Sequence, residues 1–384
     1  MRKKFVMPMT ETRIDWGTIR SNFPVTDKIA YLNTAAAGPL SRSAMDAGSG
    51  YYQQMMDDGD LHWNAWLARR EEVRRSVAQF INADPDEIGL TTNTSSGMNL
   101  IVDALQGRGE VISCDLEFPV STIPWMHRQT PVHLVQNVAG EVVPSDIRRA
   151  MTPKTGIISI SHVQYSNGFR SDLAQLGLEK RDHALVVNAS QSAGVFEIDV
   201  KRMKIDALCA TGHKWMLSGY GSGFVYISRA LLGETKPRAI GWLSVEDPYG
   251  DRNSEVNLRR DAGARSELGC PHFAGIFALG ASVDFMTGIG MRNIQERALS
   301  MNRILTDRLV EAGFRVLSPL GNENSRSAET LVALENPAQV VTKLAEQSVI
   351  VTEKPEGIRV ATDFFNNEQD IERLIEGLSK IRDG

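Results

Sequence analysis

Cysteine is scarce in this chain. The three present, Cys114, Cys209 and Cys270, lie far apart. They form neither a CxxC pair nor a disulfide framework, so a reducing compartment, the cytoplasm, is expected. No apolar run is long enough to span a membrane. The N-terminal MRKKFVMPMTETR carries basic residues without the apolar stretch of a secretory leader, so none is expected. There is no basic stripe with interleaved aromatics and the net charge is -5, which argues against a nucleic-acid partner. No GxxxxGKS/T is present, and Gly219-Tyr220-Gly221-Ser222-Gly223 lacks the lysine that a P-loop requires. No repeat, low-complexity tract or metal-ligand cluster stands out.

With 384 residues the chain is long enough for two or three domains with sizeable cores. Its centre of organisation is Cys209–Tyr226, CATGHKWMLSGYGSGFVY. The apolar run 205–210 reads as a buried strand, and a second, Phe224–Ile227, follows a Gly-rich turn. Lys214 therefore sits just past a strand end. Apolar neighbours there would desolvate its amine and lower its pKa, leaving a neutral nucleophile able to form a Schiff base with an aldehyde such as pyridoxal 5'-phosphate (PLP). A solvated lysine beside a turn would give the same local pattern.

The same arrangement recurs along the chain. Tyr31–Pro39 is a small-residue stretch ending in Gly-Pro. Residues 63–81 have helical period through Val73, Val77 and Ile81, and the interleaved Arg69, Arg70, Arg74 and Arg75 read as a solvated face. Thr91–Leu100 reads as a strand end, a hydroxyl-rich turn and a helix N-terminus, a geometry suited to phosphate or simply to capping. The strands 110–114, 156–161 and 184–187 run into Phe118, into Gln164–Gly168 and into Asn188–Gly194. Strands alternating with helical segments imply a mostly parallel sheet covered by helices, with ligand beyond the carboxyl ends. All the polar clusters fall at those ends. After about residue 255 the pattern changes to a smaller α+β unit. Its helix carries Ile294, Ala298, Met301, Leu305 and Leu309; strands are expected at 314–317, 330–334, 349–353 and 357–361, and helices at 338–347 and 367–381.

The ordered set YLNTAAAGPL, TNTSSGMNL, LEFPVSTIPW, VQYSNGFRSDL, NASQSAG, IDALCATGHKW and GIRVATDFFNNEQDIERL resembles the class V aminotransferase group of fold type I PLP enzymes. That group includes cysteine desulfurases, isopenicillin N epimerase-like proteins and kynureninases. The resemblance runs from about residue 24 to the C-terminus. It implies an α/β large domain (31–255) with a mostly parallel seven-stranded sheet between helices. It also implies a small α+β domain (256–384) and an N-terminal arm (1–30) packing on it. Lys214 would hold PLP and shuttle the Cα proton. Ser95, Ser96, Thr211 and His213 would bind the phosphate. Phe118 would stack on the pyridine, Asn188 would face its nitrogen, and Gln191 would hydrogen-bond the phenolic oxygen. Arg359 would fork onto the substrate carboxylate, with Ala36 and Asn167 beside the substrate. A homodimer with the site at its interface is implied, acting on a small α-amino acid.

The chain departs from the family pattern at four places. Asn188 stands where the family has aspartate, so no carboxylate holds a proton on the pyridine nitrogen. No cysteine lies in Val349–Pro355, where desulfurases carry their sulfur-accepting thiolate. The family's Gly-Thr-Pro, whose threonine reaches the neighbouring subunit's phosphate, reads Gly269-Cys270-Pro271. Tyr165 replaces an asparagine near the phenolic oxygen. The expected activity is therefore a class V aminotransferase. A β-eliminating C–S lyase or an epimerase without the acceptor cysteine comes next, then a weakly catalytic PLP-binding protein.

Overall fold

The structure is a computed structural model that describes residues 14–250 and 254–383. Residues 1–13 of the expected N-terminal arm lie outside them. Among the described residues, twelve strands form three sheets. β1 is Ala30–Tyr31; β2 to β8 are Ile88–Thr91, Glu110–Cys114, Val132–Val135, Thr155–Ser161, Ala184–Asn188, Ala207–Thr211 and Gly223–Ile227. β9 to β12 are Glu329–Ala333, Val349–Ile350, Thr352–Lys354 and Gly357–Ala361.

The large sheet has seven strands in the order β2-β8-β7-β6-β5-β3-β4. Only β8 runs against its neighbours. The central strands β6 and β7 are buried at every position, which explains their unbroken apolar sequence. Parallel neighbours need crossovers, and the intervening helices supply them on both faces. On one face, Met98, Ile101, Val102 and Leu105 of the helix Thr94–Leu105 pack on Val186, Ala207, Cys209 and Val225. On the other, Val73, Val77, Phe273, Phe277 and Val283 join Leu185, Leu208 and Phe224 in a second core.

The three-stranded sheet β11-β12-β9 is antiparallel. Its core is closed by the helices Met291–Glu311, Pro337–Glu346 and Glu368–Asp383 through Leu305, Leu344, Ile371 and Leu374. The expected strand at 314–317 is a single bridge, Val316 to Val332. The expected strand 349–353 is two strands that part at Val351. β10 leaves the sheet to pair in parallel with β1, while β11 stays with β12.

That β1–β10 pair brings residues 30–31 against residues 349–350. Leu32 N–H donates to Ile350 O (3.0 Å) and Ala361 N–H to Leu32 O (2.9 Å). Beyond it, Gly38 N–H donates to His213 O at 2.7 Å. A Cβ at position 38 would lie 2.3 Å from Lys214 O, so the close approach requires glycine.

The arginine-rich face of the helix Trp63–Phe80 is not solvated throughout. Arg70 and Arg74 are buried. Arg74 forks onto Glu267 at 2.6 and 2.7 Å and also bonds Ile88 O and Glu71. Helical period alone places these side chains between faces; the partner that turns them inward comes from a segment almost two hundred residues away. Among the described residues, no single helix is long and apolar enough to cross a membrane.

Candidate active site

The carboxyl ends of β2, β3, β5, β6 and β7 converge on a cavity of about 170 Å³. Lys214, His213 and Thr211 line it from the end of β7, and Asn188, Ser190 and Gln191 from the end of β6. Ser161, Val163 and Tyr165 follow β5, Phe118 and Val120 follow β3, and Asn93, Thr94 and Ser95 open the helix after β2. A larger open cleft of about 700 Å³, beside the helix Pro144–Ala150, holds none of the sequence-predicted residues.

Lys214 behaves as its sequence context suggests. Burial pushes its pKa down to about 8, helped by the positive charges of Arg359 and Lys354 and opposed by Glu329. Its Nζ lies 5.8 Å from the centre of the Phe118 ring. The turn beyond it is held by Leu217 N–H donating to Lys214 O (3.0 Å) and by Ser282 Oγ on Met216 O (2.5 Å). Leu217 sits in the left-handed region at φ 51°, rare for a branched side chain. His213 Nδ1 is 2.7 Å from Thr211 Oγ1, and its ring stacks on Tyr220 at 4.4 Å. Burial, then the charge of Lys214, lowers His213 to about 4, so the imidazole is neutral near pH 7.

Asn188 is held in one orientation. Its Oδ1 accepts Ser190 N–H (3.1 Å) and Ser190 Oγ–H (2.6 Å), and its Nδ2 donates to Ser121 Oγ (3.0 Å). A backbone N–H can only donate, so the amide cannot be reversed. Gln191 Nε2 donates to Ala35 O (2.9 Å), and its Oε1 accepts Trp215 Nε1–H (2.8 Å). Each amide NH₂ retains one N–H beyond these bonds. The first-turn N–H groups of the helix Thr94–Leu105 have no intrahelical acceptor. Asn93 Oδ1 takes that of Ser96 (2.9 Å).

Five expected residues do not line the cavity. Ser96 turns its hydroxyl to Asn93 Oδ1 and lines a neighbouring cavity, where Cys270 is also found. Cys270 is exposed, while Cys114 and Cys209 are buried with thiol pKa values pushed up by burial. Ala36 lies outside the cavity, and it is the carbonyl of Ala35 that holds Gln191. Asn167 spends its amide on Gly140 O (2.7 Å) and Phe169 N–H (3.0 Å), which makes it a turn residue. Arg359 is buried just behind the cavity wall and donates from Nη1 to Tyr165 O at 2.9 Å.

Sequence reasoning missed two charged groups here. Glu329 is buried on β9, with Oε2 3.5 Å from Arg359 Nη1. Lys354 lies with Nζ 4.2 Å over the Tyr165 ring, and burial lowers it to about 8. The register pairs Ala361 with Glu329 and Arg359 with Leu331, so Glu329 and Arg359 share one face as diagonal neighbours. That signal exists only once the strand pairing is known.

A lysine of lowered pKa at the carboxyl ends of a mostly parallel seven-stranded sheet, beside a hydroxyl-lined helix N-terminus, defines a fold type I PLP-dependent enzyme. Residues 30–373 match the family described as aminotransferase class-V, and the chain belongs to it. It is 30% identical to a probable cysteine desulfurase of Methanothermobacter thermautotrophicus over 75% of this chain and 74% of that protein. It is 28% identical to the isopenicillin N epimerase of Streptomyces clavuligerus over 96% of this chain and 98% of that one. The apo cysteine desulfurase of Thermococcus onnurineus NA1 superposes with a TM-score of 0.87 at 22% identity, covering 97% and 99% of the two chains, which shows a shared fold.

Proposed function

We propose that this enzyme acts on a small α-amino acid, with Lys214 binding the PLP aldehyde and then moving the Cα proton as general base. The observation that carries this is the desolvated amine of Lys214 at the meeting point of five strand ends. The surrounding residues fit the cofactor. Ser95, Thr211 and the helix N-terminus offer donors to a phosphate, Phe118 offers a ring face, and Gln191 has an N–H left for the phenolic oxygen. Bound PLP supplies an electron sink for charge developing at Cα. Arg359 suits a substrate carboxylate by its planar fork and its nearness to Lys214.

Transamination is the activity this family pattern favours. Asn188 supports a second reading, epimerisation or β-elimination. Its Oδ1 is taken by Ser190, so what it has to offer a pyridine nitrogen is an N–H, and that nitrogen would accept rather than donate. Asn188 would thus hold the ring nitrogen without charging it, and the electron sink supplied there would be weaker. Among the described residues no cysteine lines the cavity, which speaks against a persulfide-forming desulfurase.

The same reading places the enzyme in the cytoplasm as a homodimer. It takes residues 31–255 as the cofactor-binding unit and 256–384 as the second, with the helix Phe273–Ile289 contributing to the first unit's core. The test is borohydride reduction of the protein incubated with PLP, followed by peptide mass spectrometry. Pyridoxylation at Lys214 is expected, formed faster as pH rises through about 8 because only the neutral amine attacks. Modification elsewhere, or none, would overturn the assignment.

A further inference from the structure

Glu329 has no part in the chemistry described so far, yet it occupies the most consequential spot beside it. Its side chain is buried, and neither carboxylate oxygen has a hydrogen-bond donor among the described residues. Buried carboxylates ordinarily collect two or three donors. What Glu329 has instead is charge. Arg359 stands 3.5 Å away on β12, and Lys214 and Lys354 are both close enough for their charges to act on it. The backbone is shaped for the side chain. A Cβ on Gly168 would lie 3.0 Å from Glu329 Cβ and 2.5 Å from Glu329 O, so the turn after Tyr165 makes room only as glycine.

The consequence follows from the reading of Arg359 as the substrate-carboxylate site, on which this inference rests. In the ligand-free protein the guanidinium already has a carboxylate partner. A substrate carboxylate docking on Arg359 puts two carboxylates around one buried cation, and two such groups at close range do not both stay ionised. The newcomer gains the guanidinium fork, whereas Glu329 has no hydrogen bond to lose. We propose that Glu329 is the proton-exchange partner of the substrate: as a carboxylate docks on Arg359, Glu329 takes one proton from solvent and gives up its charge. The balance is one carboxylate anion and one proton bound together. Burial, which raises the Glu329 pKa against the pull of its three cationic neighbours, favours the same direction. Lys354, half-buried over the Tyr165 ring, is the rival proton acceptor. Glu329 is thus a positioning residue that ties the docking of a carboxylate on Arg359 to the uptake of a proton.

The test uses the PLP-loaded enzyme and propionate, a carboxylate without a reacting amine. Binding is read as a change in the visible absorbance of the cofactor, so turnover does not enter. With one proton taken up per ligand, Kd rises about tenfold per pH unit across the neutral range in the wild type and is flat in Glu329→Gln. Calorimetry of the wild type in two buffers of different ionisation enthalpy counts the same proton without any variant. A flat wild-type profile with no proton uptake overturns the proposal, as does a slope that survives in Glu329→Gln, which would move the proton to Lys354. The absence of saturable binding to the wild type also overturns it, since Glu329 would then simply close Arg359. If Arg359→Lys binds propionate as well as the wild type does, the reading of Arg359 itself fails, an outcome distinct from the others.

Discussion

Asn188 is a neutral residue where the family resemblance implies an aspartate, and the structure gives it a fixed orientation through Ser190 and Ser121. Replacing it with aspartate keeps an oxygen for Ser190 and turns the other group from donor to acceptor. Asn188→Asp is expected to shift the visible absorbance of the loaded enzyme and to change the rate of Cα proton exchange by tenfold or more, on the order of 1.4 kcal/mol in the barrier. An unchanged spectrum and exchange rate would show that position 188 does not control the ring nitrogen. Lys214 and Asn188 were legible as cavity-facing positions because each stands at or just past the end of a short apolar strand, in a polar turn, a local signal. Cys270, Ser96, Asn167 and Ala36 are equally local in sequence but belong to turns and caps. Which way a turn faces is decided by backbone bonds such as Gly140 O to Asn167, not by neighbouring letters.

The helix Thr94–Leu105 must lie flat on β7 for its first turn to reach the cavity. Gly97 is where the two meet: a Cβ there would come within 2.9 Å of Cys209 Cβ. Gly97→Val should lift the helix N-terminus off the sheet at a cost of about 1–3 kcal/mol. The loss should register as weaker PLP binding, about tenfold or more, with the large-sheet fold retained by circular dichroism. Retained affinity would mean that the helix N-terminus does not hold the cofactor. Helices and buried strands were legible as elements because their periods differ. The pairing of β10 with β1 was not, since a two-residue strand has no period. Nor was the inward turn of Arg74, because Glu267 fixes it from a distant segment.

At the scale of the whole molecule, Met45, Tyr52 and Met56 stand exposed at helical spacing on one face of Arg42–Asp58, with Leu61 exposed just beyond. We take this row of exposed apolar side chains as the expected contact surface. The protein is expected to sediment at twice its 42.4 kDa chain mass. The double variant Tyr52→Asp and Met56→Asp should shift it to the monomer, since two buried charges cannot be matched across a symmetric contact. A wild-type monomer, or a variant that remains dimeric, would exclude this face. The mostly parallel architecture was legible from the alternation of strands and helices, but such a surface is not, because exposure depends on what else packs there.

The pairing of residues 30–33 with residues 349–361 sets an order on biosynthesis. Gly38, which closes over the lysine turn, is reached through residues 30–33, and these are held by Ile350 and Ala361. The ribosome therefore releases the first-made segment long before its anchor exists. The large sheet can form while translation continues, but the pocket closes only after residue 361 has emerged. A chain arrested upstream of residue 349 is expected to hold Lys214 without the pairing that brings Gly38 over its turn.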